Sequence, residues 1–374
     1  MKKYKAITPL VLFFSCFFST SAQELLVNQG ELSVSPNTVM SVYFDFLNTD
    51  DGVYSNDGDV HIRKDFINNG LTFFTNGEQG KTRFIGSEMQ TISGSMESDF
   101  YDVLFENVSV QPAFRLSSTI SISNEAEFSE GIVNNQDYGG LMIFNQSGYH
   151  SMVSDDSHVD GFVRKIGDVG FEFPVGDGGY FRHALINAPS SSTDHYTTQY
   201  LLENSNDLHP HSSRAGVIEL IDTSEYWTIE RTSGESDVVV TLSWDEATTP
   251  AAITVEPQTA IHIVRWDEDE QLWVNEGGVV DIANKTVSTS FTVEKYGIFT
   301  LARVKESDIL PGGQGVLTVY NAVTNNDDGV NDVFIIDGLE HFPDNTLTVG
   351  EYWYMKPKVM LRTVNYLEAI LKEE

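Results

Sequence analysis

The chain has 374 residues, with 22 lysines and arginines against 55 aspartates and glutamates, and its formal net charge is −33 at pH 7. A surface this acidic repels nucleic acid and anionic lipid, and no basic patch offsets it, so no nucleic-acid partner is expected. The length accommodates two or three domains with cores of their own.

Residues 1–22 have the pattern of a secretory signal peptide. Three lysines among the first five residues precede an apolar run, and small residues ending at Ala22 form a cleavage site. An alternative makes Cys16 a lipid-attachment site, but Phe13-Phe14-Ser15 is a poor context for it. Because Cys16 is the only cysteine, cleavage leaves a chain without disulfides or thiolate metal ligands. The sequence therefore predicts an extracytoplasmic protein.

Residues 23–188 contain short β-segments at intervals of ten to twelve residues, separated by turns rich in asparagine and glycine. Asparagine and glycine accept the positive φ of tight turns, and their recurrence at similar offsets favours a β-solenoid, in which stacked coils supply the core. An irregular sandwich is the alternative. The segments are Val60–Ile62, Leu71–Phe74, Thr82–Ile85, Thr91–Ser93, Val103–Phe105, Ser118–Ile122 and Leu141–Phe144.

The pattern changes at residues 189–304, where the strands become longer and alternate more regularly. Period-two alternation with tryptophan and β-branched residues predicts an antiparallel sandwich, and about 120 residues suit an immunoglobulin-like fold without its disulfide. The predicted strands are Thr197–Leu202, Glu225–Glu230, Val238–Trp244, Ala260–Trp266, Val287–Val293 and Gly297–Ala302. Residues 305–315 contain a Pro-Gly-Gly sequence, which interrupts regular secondary structure, and they are predicted to be a linker.

Two clusters of side chains in this long region have the composition of a catalytic or metal site. His209 and His211 flank a proline, but a pair without a nearby third ligand is a weak metal motif. The segment 155–160 gathers Asp155, Asp156, His158 and Asp160, which would suit acid–base chemistry or a cation. A solvated turn explains this cluster equally well, and we predict no catalytic residue and no cofactor.

The segment 320–346 is dense in asparagine, aspartate and glycine between two apolar runs. An EF-hand would need an acidic residue where Ile335 and Ile336 stand, so that motif fails. An Asx-rich turn is favoured over a looser Ca²⁺ site. The candidate ligands of such a site are Asn325, Asp327, Asp328 and Asp332.

The same segment closely resembles the gliding-motility-associated C-terminal domain, the type B sorting domain of the type IX secretion system in Bacteroidota. The residues that carry the resemblance are Tyr320, Asn321, Asn326, Asp328, Gly329, Asn331, Asp332, Phe334, Gly338, Phe342, Pro343 and Asn345. The resemblance implies a partial sorting domain at 316–349 that addresses the chain to the outer-membrane secretion machinery. The destination it implies is the cell surface or the medium.

Residues 350–374 depart from that family's pattern, which continues with an Asn-Arg-Trp-Gly strand and further hairpins. The tail has instead a helix-compatible stretch, Met355–Lys372, interrupted by Pro357. When each codon is read from the third base of the present one, the bases that encode Tyr352–Lys356 give Leu-Val-(Tyr or His)-Glu. This reading is compatible with the missing strand. Our hypothesis is that the tail is out of frame; a genuine divergent ending is the alternative. An incomplete sorting domain would leave the protein in the periplasm.

The function expected from these features is non-enzymatic: adhesion, or binding to a glycan or to another surface protein. Tyr138, Tyr149 and Tyr180 are aromatics that could stack on sugars, although single tyrosines more often serve in packing. A polysaccharide lyase or hydrolase is the alternative, because parallel β-helices include such enzymes. A groove of converging carboxylates along one solenoid face would favour the enzyme.

Overall fold

The structure is a computed structural model that describes residues 25–305 together with the backbone of three strands at 318–319, 333–337 and 358–361. The predicted leader, residues 1–22, lies outside the described residues. The chain is nearly all β and contains a β-solenoid of about six turns. The predicted all-β fold with an N-terminal solenoid is therefore confirmed.

Residues 25–151 form six solenoid coils, and each coil contributes one strand to each of three parallel sheets. Each strand pairs in register with the strand one coil later, as Leu25–Asn28 does with Asp45–Asn48. The strands are β1 (Leu25–Asn28), β2 (Glu31–Val34), β3 (Val39–Val42), β4 (Asp45–Asn48), β5 (Val53–Asn56), β6 (Asp59–Ile62), β7 (Phe66–Asn68), β8 (Leu71–Phe73), β9 (Lys81–Gly86), β10 (Gln90–Ser93), β11 (Ser98–Phe100), β12 (Asp102–Asn107), β13 (Phe114–Leu116), β14 (Thr119–Ile122), β15 (Glu125–Glu130), β16 (Val133–Asn134), β17 (Leu141–Phe144) and β18 (Tyr149–Ser151).

Two kinds of ladder explain why this sequence stacks as coils. Asn28, Asn48 and Asn68 are buried one above another, and the side-chain amides of Asn28 and Asn48 donate to the Oδ1 of the next asparagine over 2.8 and 2.9 Å. The Asn68 amide ends the ladder by donating to Ser98 Oγ over 2.9 Å. In the core, the rings of Phe84, Phe105 and Phe128 stack in register, with centroids 5.9 and 5.3 Å apart. The ladders satisfy the buried polar groups and bury the aromatic surface coil by coil.

After β19 (Val159–Asp160) and β20 (Val163–Ile166) the chain builds a sandwich of two sheets, although the strands at 175–177 and 180–181 still extend the first solenoid sheet. The remaining elements are β21 (Phe171–Phe173), β22 (Val175–Asp177), β23 (Tyr180–Phe181), β24 (Ala184–Ile186), β25 (His195–Leu201), β26 (Ile218–Ile221), β27 (Tyr226–Ser233), β28 (Val240–Ser243), α1 (Ala251–Thr254), β29 (Ile261–Asp267), β30 (Leu272–Gly277), β31 (Val279–Asp281), β32 (Thr286–Ser288) and β33 (Gly297–Val304), with 3-10 turns at Ser205–Asp207 and Gln258–Ala260.

The boundary between solenoid and sandwich differs from the predicted one at 188/189. Strands β21 and β24 belong to the second sandwich sheet, in the order β21-β24-β28-β32-β31. That sheet therefore begins at Phe171, upstream of the predicted start of the sandwich. The predicted strand Val287–Val293 is also shorter, because only Thr286–Ser288 is in the sheet.

Solenoid and sandwich share one sheet and one core. Strand β20 pairs antiparallel with β25, so a solenoid sheet continues as the first sandwich sheet. A single cluster of buried apolar side chains extends from Val34 to Leu301. At the junction, the Trp227 indole donates to the Arg182 carbonyl over 2.9 Å, and the Arg182 Nε donates to Thr248.

The C-terminal strands β34 (Thr318–Val319), β35 (Val333–Asp337) and β36 (Lys358–Leu361) form a three-stranded sheet. Strand β34 pairs antiparallel and β36 parallel with β35. The helix-compatible stretch Met355–Lys372 therefore contains a strand at Lys358–Leu361, where Val359 and Met360 are β-branched or apolar residues that suit a strand.

Candidate functional site

A row of polar side chains crosses the last strands of the first solenoid sheet. Arg115 on β13, Asn134 on β16 and Asp160 on β19 are directly in register, and Gly176 on β22 follows them. Because neighbouring strands lie about 4.8 Å apart, the four positions and the adjoining strand β23 span roughly 19 Å. We call this surface the polar stripe; its members are Arg115, Asn134, Asp137, Tyr138, Asp160, Asp177 and Tyr180.

One asparagine amide holds two of the carboxylates together at the centre of the stripe. The Asn134 Nδ2 donates to Asp160 Oδ2 over 2.9 Å and to Asp137 Oδ2 over 3.0 Å. Asp177 accepts the backbone N–H of Leu202 over 2.9 Å. Burial, with the nearby charges of Asp177 and Asp137, raises the pKa of Asp160 to about 7. This carboxyl group therefore changes charge near neutral pH.

Two tyrosines flank the carboxylates, and each is covered on one side by an arginine. The Arg115 guanidinium carbon lies 5.3 Å from the centre of the Tyr138 ring. The Arg182 guanidinium carbon lies 5.2 Å from the centre of the Tyr180 ring. Cation–π contacts of this kind fix the orientation of the ring, so both tyrosines are pre-positioned platforms.

The sequence places Tyr180 on the stripe through a tight hairpin. Gly178 and Gly179 both have positive φ, 63° and 81°, between the antiparallel strands β22 and β23. Consecutive positive-φ residues form the two-residue hairpin turn that matches the twist of the strands. The turn therefore consists of Gly178 and Gly179 alone, and the residues before it, Val175–Asp177, belong to β22.

The predicted acidic cluster at 155–160 is dispersed in the structure. Asp155 accepts the N–H of Phe181 over 2.8 Å, and Asp156 is exposed. His158 is fully buried, its Nδ1 lies 3.0 Å from the Ser154 carbonyl oxygen, and burial lowers its pKa. Only Asp160 joins the stripe, so the four residues do not form one acid–base site.

The histidine pair does not converge on a metal position either. The His211 Nε2 is hydrogen-bonded to Ser205 Oγ over 2.9 Å, and both residues are buried. His209 stacks on the Trp266 ring with centroids 4.3 Å apart. Within residues 25–305, no three histidine, cysteine or acidic side chains are grouped so that they could hold a metal ion.

Other sequence-predicted residues fall in three places. Tyr149 is 47% exposed but lies on β18, in another solenoid sheet, and so is separate from the stripe. Phe334 lies on β35. The remaining resemblance residues and the candidate Ca²⁺ ligands lie outside the described residues: Tyr320, Asn321, Asn325, Asn326, Asp327, Asp328, Gly329, Asn331, Asp332, Gly338, Phe342, Pro343 and Asn345.

Sequence reasoning missed Arg115, Asn134, Asp137 and Asp177 as members of a common site. The only signal in the sequence is that these polar residues recur about one coil apart along the chain. That spacing indicates a common site only when the register between successive coils is known. No family model, curated protein or solved structure matches the chain. Within the part of the chain that the structure describes, every helix is too short or too polar to cross a membrane.

Proposed function

We propose that this chain is an exported, non-enzymatic binding protein whose polar stripe takes a neutral or amine-bearing glycan. The observation that carries the proposal is the pair of oriented tyrosines, Tyr138 and Tyr180, at either side of in-register polar side chains. Flat apolar faces of sugar rings stack on such platforms, and carboxylate oxygens accept hydrogen bonds from sugar hydroxyls. A solenoid flank presents such groups as an extended surface.

The charge of the stripe selects among glycans. Asp137, Asp160 and Asp177 have no ion-pair partner within 4 Å among the described residues. An anionic polysaccharide would add like charges to a chain of net charge −33. A neutral chain avoids this repulsion, and an amino sugar would compensate it.

Titration of the full chain with laminarin, chitosan and polygalacturonate tests the proposal. Tyr138→Ala and Tyr180→Ala are expected to weaken binding of the neutral or amine-bearing polymer about five- to tenfold each. Tyr149→Ala is the matched control, because this tyrosine is exposed on another sheet. Equal binding by all three variants, or binding of polygalacturonate alone, would refute the assignment.

Export through the type IX secretion machinery is the second part of the proposal. It rests on the resemblance at 320–346, whose segment includes strand β35. We propose that the address lies in 316–349 and that 350–374 are out of frame. Sequencing the gene across this region, followed by protease treatment of intact cells, tests both points. Surface cleavage of the chain with its present tail would contradict a defective address.

A glycan-cleaving enzyme is the second candidate, and the paired carboxylates of Asp137 and Asp160, with the charge of Asp177 nearby, favour it. Asp160, with its pKa raised to about 7, has the protonation behaviour of a general acid. Binding is preferred because Asp160 and Asp177 each already accept a hydrogen bond from the protein itself. Reducing-sugar release by the full chain, abolished in Asp160→Asn, would establish the enzyme and remove the non-enzymatic proposal.

A further inference from the structure

The first coil of the solenoid leaves its core open at one end. Leu26, Leu32 and Met40 are in register with the fully buried Phe46, Tyr54 and Val60 of the second coil. They occupy the same inward positions, yet Leu26 is 36% exposed, and Leu32 and Met40 are only partly buried. Among the described residues, the apolar layer of coil 1 therefore lacks a coil to cover it on its outer side.

The backbone edges at this end are also unpaired. Strands β1, β2 and β3 each pair on one side only, with β4, β5 and β6, among the described residues. Solenoids ordinarily cover such an end with a polar capping repeat, and free edges carry charges or prolines that discourage pairing. Neither device is present within the three strands, whose only charged residue is Glu31.

Charge is also sparse at this end of the solenoid. Residues 25–44 contain Glu31 as their one charged residue, whereas residues 45–64 contain seven. Over the whole chain, charged residues make up 21%. Depletion of charge together with exposed apolar side chains is the compositional signal of an interface core.

We propose that this end is the interface of a head-to-head dimer, formed with coil 1 of a second copy. A two-fold axis perpendicular to the solenoid and passing through β2 reverses the direction of the coil. It therefore places β2 antiparallel to β2 of the second copy, β1 antiparallel to β3, and β3 antiparallel to β1. All three edge strands of coil 1 are paired in this way. The three strands are equally long, four residues each, so every edge finds a partner of matching length.

The size of the surface fits such an assembly. Coil 1 offers twenty residues, 25–44, and standard interfaces use about 20–30 residues a side. Three antiparallel pairs of four-residue strands would supply about ten hydrogen bonds, which is typical of a stable interface. Coil 1 also carries exposed apolar side chains: Val39, Tyr43 and Phe44 are 66%, 60% and 41% exposed.

Light scattering coupled to size-exclusion chromatography tests the proposal on the chain from Gln23 to Glu374. The wild type is expected to have twice the mass of one chain over a wide range of concentrations. Val39→Lys and Leu26→Lys place charges on two of the paired edges, so both are expected to be monomeric with an unchanged circular-dichroism spectrum.

Leu71→Lys is the matched control, because Leu71 is 51% exposed on β8, in the middle of the solenoid. This variant should remain dimeric. A monomeric wild type would overturn the proposal, as would a dimer that survives Val39→Lys and Leu26→Lys. Particles larger than a dimer in the wild type that persist in both edge variants would also overturn it, since the two-fold contact closes on itself. Glycan binding by the stripe is measured separately and does not depend on this outcome.

Discussion

Asn48 is the middle member of the buried asparagine ladder and the residue on which two coils depend. Its amide donates to Asn68 over 2.9 Å and to the Leu71 carbonyl over 3.1 Å, and its Oδ1 accepts from Asn28. Asn48→Ala removes these three bonds from buried groups, so we expect a loss of roughly 2 to 4 kcal/mol in the free energy of unfolding. Urea denaturation followed by circular dichroism measures it.

A surface asparagine one residue beyond the ladder provides the control. Asn69 accepts the N–H of Ser95 in an exposed turn, so Asn69→Ala should cost less than about 1 kcal/mol. Equal losses in the two variants would show that the ladder contributes nothing beyond an ordinary surface hydrogen bond.

Asp222 is a buried carboxyl group that should make stability depend on pH. Burial and the neighbouring Glu225 raise its pKa to about 8, and its Oδ2 has no hydrogen-bond partner among the described residues. Because the folded state favours the protonated form of Asp222, this carboxyl group stabilises the fold fully below about pH 4. That stabilisation is lost progressively as the pH rises to about 8. Across that range the free energy of unfolding falls by about 1.4 kcal/mol for each increase of one in the pH.

Asp222→Asn removes this titration but keeps an oxygen to accept the N–H of Ser224. The variant is expected to gain stability relative to wild type as the pH rises from 5 to 8, as measured by urea midpoints at several pH values. A constant difference across this range would mean that Asp222 does not titrate there.

Strand β20 closes the solenoid with a buried lysine. The Lys165 ammonium donates to the carbonyls of Asn145, Gln146 and Gly148 over 2.7, 2.9 and 2.8 Å. Lys165→Met would remove the ammonium group that joins three turn carbonyls, so we expect a loss of roughly 3 kcal/mol or more in unfolding free energy. Arg164→Met, on the same strand but with one side-chain bond to Thr197, should lose much less when the two variants are compared by urea denaturation.

At the scale of elements, the solenoid is predictable because its signal is local. Each coil carries its own turn residues and its own apolar strands, so Val60–Ile62 or Leu141–Phe144 can be recognised without knowing their partners. The second sandwich sheet has no such local signal. Strands β21 and β24 are three residues long, and β24 pairs with β28, more than fifty residues later.

The candidate site is predictable only in part, for the same reason. Tyr138 and Tyr180 stand out in the sequence as candidate stacking aromatics, but the sequence groups acidic residues only by proximity along the chain. In a solenoid, alternation sends adjacent residues such as Val159 and Asp160 to opposite faces of the strand, whereas register joins Asn134 to Asp160 across a coil. Knowledge of the coil length, and hence of the register, is what the sequence lacks.

At the scale of the whole molecule, the solenoid and the sandwich form one continuous structure. The sheet that begins at β2 continues through β20 and β25 to β30, and buried residues from both parts form one apolar cluster. Since no boundary interrupts either the sheet or the core within residues 25–305, we expect this region to unfold in a single cooperative step.

The positions of the tryptophans make this cooperativity measurable. Trp227, Trp244, Trp266 and Trp273 all lie in the sandwich, and the fifth, Trp353, can be replaced by phenylalanine. In that background, Asn48→Ala removes contacts within the solenoid coils, which carry no tryptophan. If the two parts unfold together, the fluorescence midpoint in urea should fall by the same amount as the circular-dichroism midpoint. The opposite result is a fluorescence midpoint that stays at the parent value while circular dichroism shows an earlier transition. It would mean that the solenoid unfolds independently and that the shared sheet does not couple the two parts.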